Sequence, residues 1–194
     1  MDKESRYLIG EEDDGMAVYA GFLRGINVGG KNKIKMAELK KLLETVGLVR
    51  VQTYLQTGNL LFESGEDPAI LRTRIEQEIN GQFGISPTVI LRTVDQLEQI
   101  LVRCPYAAAS LSEGQTIQIA VSTEAPDQSM AEKLSQGIGE IDEFQFAGEH
   151  IYFLFRQSVL DSKLAVNLQK LGNRVTTRNW NTMQKLSEMA KTIQ

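Results

Sequence analysis

Cysteine is almost missing from this chain. Cys104 is the only one, so no intramolecular disulfide can form and no thiolate metal cluster can assemble. Histidine is equally scarce, with His150 alone. It falls beside an expected hairpin turn, where an exposed surface residue is the plainer reading, and this weakens any Ser–His or Cys–His nucleophile scheme. No apolar run approaches the ~20 residues of a membrane helix. The N-terminus lacks the apolar core of a secretion signal. A basic excess is missing too: 21 Lys and Arg stand against 25 Asp and Glu, a net charge of −4. That argues against a protein built mainly to clamp a nucleic-acid backbone, although a local basic patch is compatible with it. These absences point to a cytoplasmic protein.

What is present is ordinary globular material: 194 residues, 42% hydrophobic and 24% charged. This is enough for one large domain or two small ones. Residues 1–15 are polar, end acidic and carry no period, so they read as a tail. Glu11, Glu12, Asp13 and Asp14 form a charge run of the kind that is normally solvated. From Met16 to Arg24, Val18, Ala20 and Phe22 alternate with Tyr19 and Leu23, the pattern of a strand. After the loop Gly25–Gly30, Met36, Leu39, Leu42, Leu43 and Val46 recur at three and four, which predicts a helix closed by Gly47. Strands follow over Arg50–Leu55 and Asn59–Phe62 around a Thr57–Gly58 turn. Asp67-Pro68 opens a second helix that runs to Gly81. Thr88–Leu91 is a strand, and Thr93–Gln96 is a capping box opening a short helix. The first half is thus βαββαβα.

The stretch 105–114 has no period and reads as a linker. The order then repeats. A strand spans Thr116–Val121, and a helix opens at Pro126 and runs through Met130, Leu134 and Ile138. Strands over Glu143–Phe146 and Ile151–Phe155 flank a Gly148-Glu149 turn. Ser162 caps a helix ended by Gly172, Arg174–Thr177 is a strand, and Asn179 or Asn181 caps the last helix. Two copies of one element string suggest internal duplication. The expected fold class is α+β: two tandem ferredoxin-like βαββαβ(α) subdomains with antiparallel sheets, at 16–104 and 115–194. An open sheet face, or the joint between the halves, would then be available to a partner.

Four motifs in order complete the picture: Leu23-Arg24-Gly25-Ile26-Asn27-Val28-Gly29-Gly30, Thr53-Tyr54-Leu55-Gln56-Thr57-Gly58-Asn59, Ser162-Lys163-Leu164, and Thr176-Thr177-Arg178-Asn179-Trp180-Asn181-Thr182. Together, from about residue 16 onward, the chain resembles the bacterial family known as domain of unknown function 1697. The resemblance implies a cytoplasmic, two-subdomain α+β protein and brings no activity with it. Two departures are the N-terminal tail and Thr57, where the family usually shows Ser.

Candidate site residues come from three places. The first loop nearly spells a phosphate-binding P-loop, but Asn32 stands where Ser or Thr should hold magnesium, and the helix starts too late. A looser use survives, with Arg24, Asn27, Gly29 and Gly30 letting backbone amides meet an anion beside Lys31 and Lys33. The plainer reading is a glycine turn. The turn residues Tyr54, Gln56 and Asn59 are a second ligand rim, unless Asn59 only stabilises the hairpin. The third place is Thr177, Arg178, Asn179 and Trp180. There Arg offers a planar fork for phosphate or carboxylate beside a helix N-terminus. The competing reading makes the Asn residues simple caps, pairs Arg178 internally and uses Trp180 to plug the core. Cys104 reads as structural. No carboxylate pair or metal set stands out, so no metal and no cofactor are assigned. The expected function is binding of a phosphate-bearing ligand, a nucleotide or short RNA. The alternatives are an enzyme for a small anionic metabolite in the cleft between halves, and an assembly module pairing sheet edges in a homodimer. The first loop and the hairpin turn are expected at opposite ends of their sheet, so convergence would have to be built across the halves.

Overall fold

A computed structural model describes residues 15–193. The expected acidic tail lies outside the described residues, apart from its final Gly15.

The first half supplies β1 (Ala17–Arg24), α1 (Met36–Thr45), β2 (Val49–Tyr54), β3 (Asn59–Ser64), α2 (Pro68–Phe83), β4 (Thr88–Thr93) and α3 (Val94–Val102). The second supplies β5 (Thr116–Ser122), α4 (Gln128–Ser135), β6 (Glu143–Ala147), β7 (His150–Phe155), α5 (Lys163–Gln169), β8 (Val175–Asn179) and α6 (Trp180–Ala190). Each half forms a four-stranded antiparallel sheet, in the orders β2-β3-β1-β4 and β6-β7-β5-β8. This is the tandem ferredoxin-like arrangement that the element order implied.

Local chemistry explains most boundaries. Asp67 accepts from the Ala69 and Ile70 amides with Pro68 in the first turn. Thr93 and Gln96 close a reciprocal capping box. Asn179 Oδ1 accepts from Thr182 N at 2.8 Å to start α6. Five expectations shift, the first being that α5 stops at Gln169, short of Gly172. Helix α2 passes Gly81 and stops at the left-handed Gly84. Helix α4 begins after Asp127, which caps it by accepting from Met130 N, so Pro126 lies just outside. That helix ends at Ser135, before Ile138, where Gln136 turns extended at ψ 105° and Gly137 follows at φ 62°. Leu55 leaves β2 and turns left-handed at φ 59°, so the strand ends at Tyr54.

The core has three parts. One lies between sheet 1 and α1 and α2, with Leu39, Leu43, Leu71 and Ile75 against Tyr19 and Phe62. A second lies between sheet 2 and α4 and α5, with Met130, Leu134, Leu164 and Leu168 against Phe153 and Phe155. The third is central. Val18, Ala20 and Phe22 of sheet 1 and Ile117, Ile119 and Tyr152 of sheet 2 pack on α3 and α6, through Leu97, Ile100, Met183 and Leu186. The layers therefore run helix pair, sheet, helix pair, sheet, helix pair. Neither sheet keeps the open face expected from its sequence. The apolar residues that would have lined it are fully used in the shared middle layer.

Candidate functional site

The first loop is held by two asparagines. Asn27 Nδ2 donates to Ile34 O at 3.1 Å and to Gln56 O at 2.8 Å, and Ile34 N donates back to Asn27 Oδ1 at 2.8 Å. Asn32 Nδ2 donates to Gly25 O at 2.7 Å, and Asn27 N to Asn32 O at 3.0 Å. Asn32, which broke the P-loop pattern, is thus the residue that closes the loop on itself. Both asparagines are left-handed, at φ 53° and 51°. Asn tolerates that region because its side chain can bond locally. Gly29 and Gly30 form the exposed tip, with Lys31 N bonded back to Val28 O at 2.9 Å.

The loop and the hairpin turn lie at the same end of sheet 1, contrary to the expectation of opposite ends. Strands β1 and β3 are antiparallel, so the end of β1 meets the start of β3: Phe22 pairs with Asn59, and Leu23 N donates to Gly58 O at 2.8 Å. This places Asn27, Gly30 and Gln56 on one cleft of about 530 Å³, together with Lys33, Lys35 and Glu38. The start of α1 borders the cleft through Lys35 and Glu38. Lys35 occupies the N-cap position and offers no side-chain hydrogen bond there, so the first amides of the helix, Met36 and Ala37, carry no side-chain cap. Lys31 and Lys33 are exposed and form no ion pair among the described residues, while Lys35 pairs with the exposed Glu38 at 3.2 Å. A cleft of about 450 Å³ at the other end of β1, by Met16 and Asp95, has no such cationic rim among the described residues, since its Arg50 is paired with Glu63.

The predicted Arg–Asn rim proves to be something else. Arg178 is 8% exposed. Its Nε donates to Asn59 Oδ1, Nη1 to Thr176 Oγ1 at 2.9 Å and Thr177 O at 2.8 Å, and Nη2 to Leu23 O at 3.0 Å and Thr57 O at 2.9 Å. Every N–H of the guanidinium is engaged. The fork that was to grip a ligand instead ties β8 to the end of β1 and the hairpin turn. Asn59 is fully buried, and its amide donates to Tyr54 O and Thr57 Oγ1, which is its turn-stabilising role. Phe22 lies under the cation at 5.8 Å. Burial, and then the neighbouring Arg24, pull the Arg178 pKa down to about 10. The group is still a cation at neutral pH. Arg24 donates to Val175 O at 2.8 Å and Asn173 Oδ1 at 3.4 Å, and burial lowers its pKa too. Neither arginine reaches a carboxylate among the described residues. Tyr54 and Trp180 are half-buried and pack on the central core, and Asn179 is spent as the α6 cap. So Asn27, Gly30 and Gln56 converge on a cleft, whereas Arg24, Asn59, Thr177 and Arg178 converge on a buried tie.

Two other groups answer questions raised by the sequence. Ser162 Oγ donates to Asp142 at 2.7 Å while accepting from Ala165 N at 3.1 Å. Burial alone would raise the Asp142 carboxyl, but hydrogen bonds from Gln157, Ser162 and the Arg156 amide hold it below its usual range. Ser162 is 1% exposed, so this couple fastens α5 and is no nucleophile. His150, expected at the surface, is 9% exposed. It opens β7 rather than sitting in the turn, and its ring is covered from the first half. Lys35 and the cap it fails to provide were missed by sequence reasoning. The available signal was the absence of any Ser, Thr, Asp or Asn immediately before Met36.

Among curated proteins none matches the chain. Among solved structures, the chain is similar to the conserved bacterial protein SP0830 from Streptococcus pneumoniae, at 26% identity and a TM-score of 0.74, over 90% of this chain and 99% of that one. The likeness thus covers both sheets. Residues 16–152 match the family described as Protein of unknown function (DUF1697), and the chain belongs to that family.

Proposed function

We propose that this protein is a cytoplasmic binding module for a phosphate-bearing small molecule, taken up in the cleft between the first loop and the hairpin turn. One observation carries the reading: helix α1 opens onto a cleft of about 530 Å³ without a side-chain cap, under Lys33 and Lys35. Bare helix amides and the positive end of the helix dipole favour an anion, and lysines add charge without fixing a geometry. The equivalent helix of the second half, α4, has its amide taken by Asp127. The cleft-lining Glu38 is held by Lys35 at 3.2 Å, so the cationic side keeps the upper hand. Glycine at position 30 keeps that wall free of side chain.

Binding is preferred over turnover because, among the described residues, no free general base borders the cleft. Its one carboxylate is ion-paired, and the chain's only histidine is buried elsewhere. The net charge of −4 favours a small phosphate compound over RNA. The equal strand order in the two sheets fits an origin by internal duplication, with one copy retaining the ligand loop.

The test is a titration with pyrophosphate, a mononucleotide and a short oligoribonucleotide at low and moderate salt, followed by backbone amide NMR. Met36 and Ala37 should shift with either small ligand, and ligand at 100 Kd should add about 2.7 kcal/mol of stability. Exchanging both Lys33 and Lys35 for Glu should weaken binding at least about tenfold, the loss of two favourable charges at a helix N-terminus. Unmoved Met36 and Ala37 amides at millimolar concentrations of all three would sink the reading.

A further inference from the structure

The two sheets share more than an order of strands. Ala20 pairs with Arg92 and Phe22 with Asn59 in the first, and Ile119 pairs with Arg178 and Val121 with His150 in the second. This register makes Arg92 the counterpart of Arg178, and His150 the counterpart of Asn59. Each arginine directly precedes a helix N-cap, Thr93 or Asn179.

The hydrogen bonds follow the same correspondence. Arg178 Nη1 donates to the carbonyl before it, Thr177 O, and Arg92 Nη1 does so to Leu91 O, both at 2.8 Å. Arg178 Nη2 reaches across to Leu23 O at 3.0 Å, and Arg92 Nη2 reaches across to Ser122 O at 2.8 Å. Beyond that, Arg178 takes the Thr57 carbonyl, while Arg92 faces the Glu149 carboxylate at 3.6 Å in the equivalent turn. One bond breaks the pattern. Arg178 Nε–H is accepted by Asn59, but Arg92 Nε and His150 Nδ1 are both buried and both without a partner among the described residues. A buried donor and a buried acceptor left open at equivalent positions are costly apart and satisfied together.

We propose that His150 closes a second arginine tie between the halves, its neutral Nδ1 accepting the Arg92 Nε–H, and that protonation of the ring opens this tie while the Asn59–Arg178 tie stays shut. A neutral imidazole carrying its proton on Nε2 presents Nδ1 as an acceptor, and the imidazolium has none. The charged groups around the ring act in the same direction. Arg92 faces it from β4, and Arg103 from the turn after α3, where its guanidinium lies against Gly148. Glu149 is 63% exposed and already shared with Arg92, and the β5 neighbours Val121 and Ser122 carry no charge. Burial, then Arg92, then Arg103 lower the His150 pKa to about 4 from 6.5. The sign follows: above pH 6.5 the tie is intact. As pH falls from 6.5 towards 4, the unfolded chain gains a proton that the folded one refuses, and stability drops.

The chain's only histidine gives a single imidazole signal, so NMR titration of the unmodified protein is unambiguous. The expected midpoint is about 4, with Nδ1 unprotonated at neutral pH. His150→Asn copies the Asn59 arrangement. It should fold, and between pH 7 and 4.5 it should lose less Tm than the natural chain by roughly 5 °C or more. A midpoint near 6.5, a proton on Nδ1, or equal acid losses of Tm in both proteins overturns the proposal.

Discussion

Arg178 carries its charge in a place largely closed to water, where no acid among the described residues answers it. What keeps it there is a shell of carbonyl, hydroxyl and amide oxygens from both halves. Removing the guanidinium would strand Asn59 Oδ1, Leu23 O and Thr57 O, and each buried acceptor left open costs about 1–3 kcal/mol. Arg178→Ala should therefore lower stability by at least about 3 kcal/mol in urea melts. Phosphate affinity per folded molecule should be little changed. A variant of normal stability with lost binding would return Arg178 to the ligand. From the sequence, the composition of this motif was legible but its direction was not. An Arg beside Asn and Thr suits a ligand and a buried tie equally well, and only the apposition of β8 with the end of β1 decides between them.

At the scale of elements, the β2–β3 hairpin is where the Arg178 tie and the cleft meet. Gly58 lies at φ 82°, and a Cβ added there would stand 2.9 Å from both Ile26 and Leu23. Gly58→Ala thus meets backbone strain and a clash at once, and should cost about 2–3 kcal/mol. Because Gln56 and Asn27 are bonded across the same turn, it should also blur the phosphate-induced shifts of Met36 and Ala37. Leu55 turns left-handed just before it at φ 59°, an uncommon state for a bulky residue. Element types were well written in the local sequence. The Asp67-Pro68 start, the Thr93–Gln96 box and the alternation of Val18, Ala20 and Phe22 each have a local cause. The end at which loop and turn meet was not, because it depends on β3 pairing antiparallel with β1 rather than on any residue within either segment. His150 was misread for the same reason: its cover comes from Arg92 and Arg103, far away in sequence.

For the whole molecule, the decisive feature is the middle layer. Helices α3 and α6 lie between the sheets, and Met183, Leu186 and Ala190 of α6 share one core with Val18, Ala20 and Phe22 of β1. The halves look like separate units in sequence, at 16–104 and 115–194, yet neither can bury its inner sheet face alone. We expect a single unfolding transition by circular dichroism and by tryptophan fluorescence, with Trp180 reporting from the shared layer. A fragment spanning 15–104 should stay poorly dispersed in NMR and bind hydrophobic dyes. Two separate transitions, or a well-folded fragment, would contradict the shared core. The same layer bears on how the molecule is made. Strand β1 and helix α3 leave the ribosome well before α6, but the side chains of α6 that complete the seal on the inner face lie between residues 180 and 193. Throughout most of translation, the first sheet must wait half-wrapped, its apolar side open to chaperones or to neighbouring nascent chains.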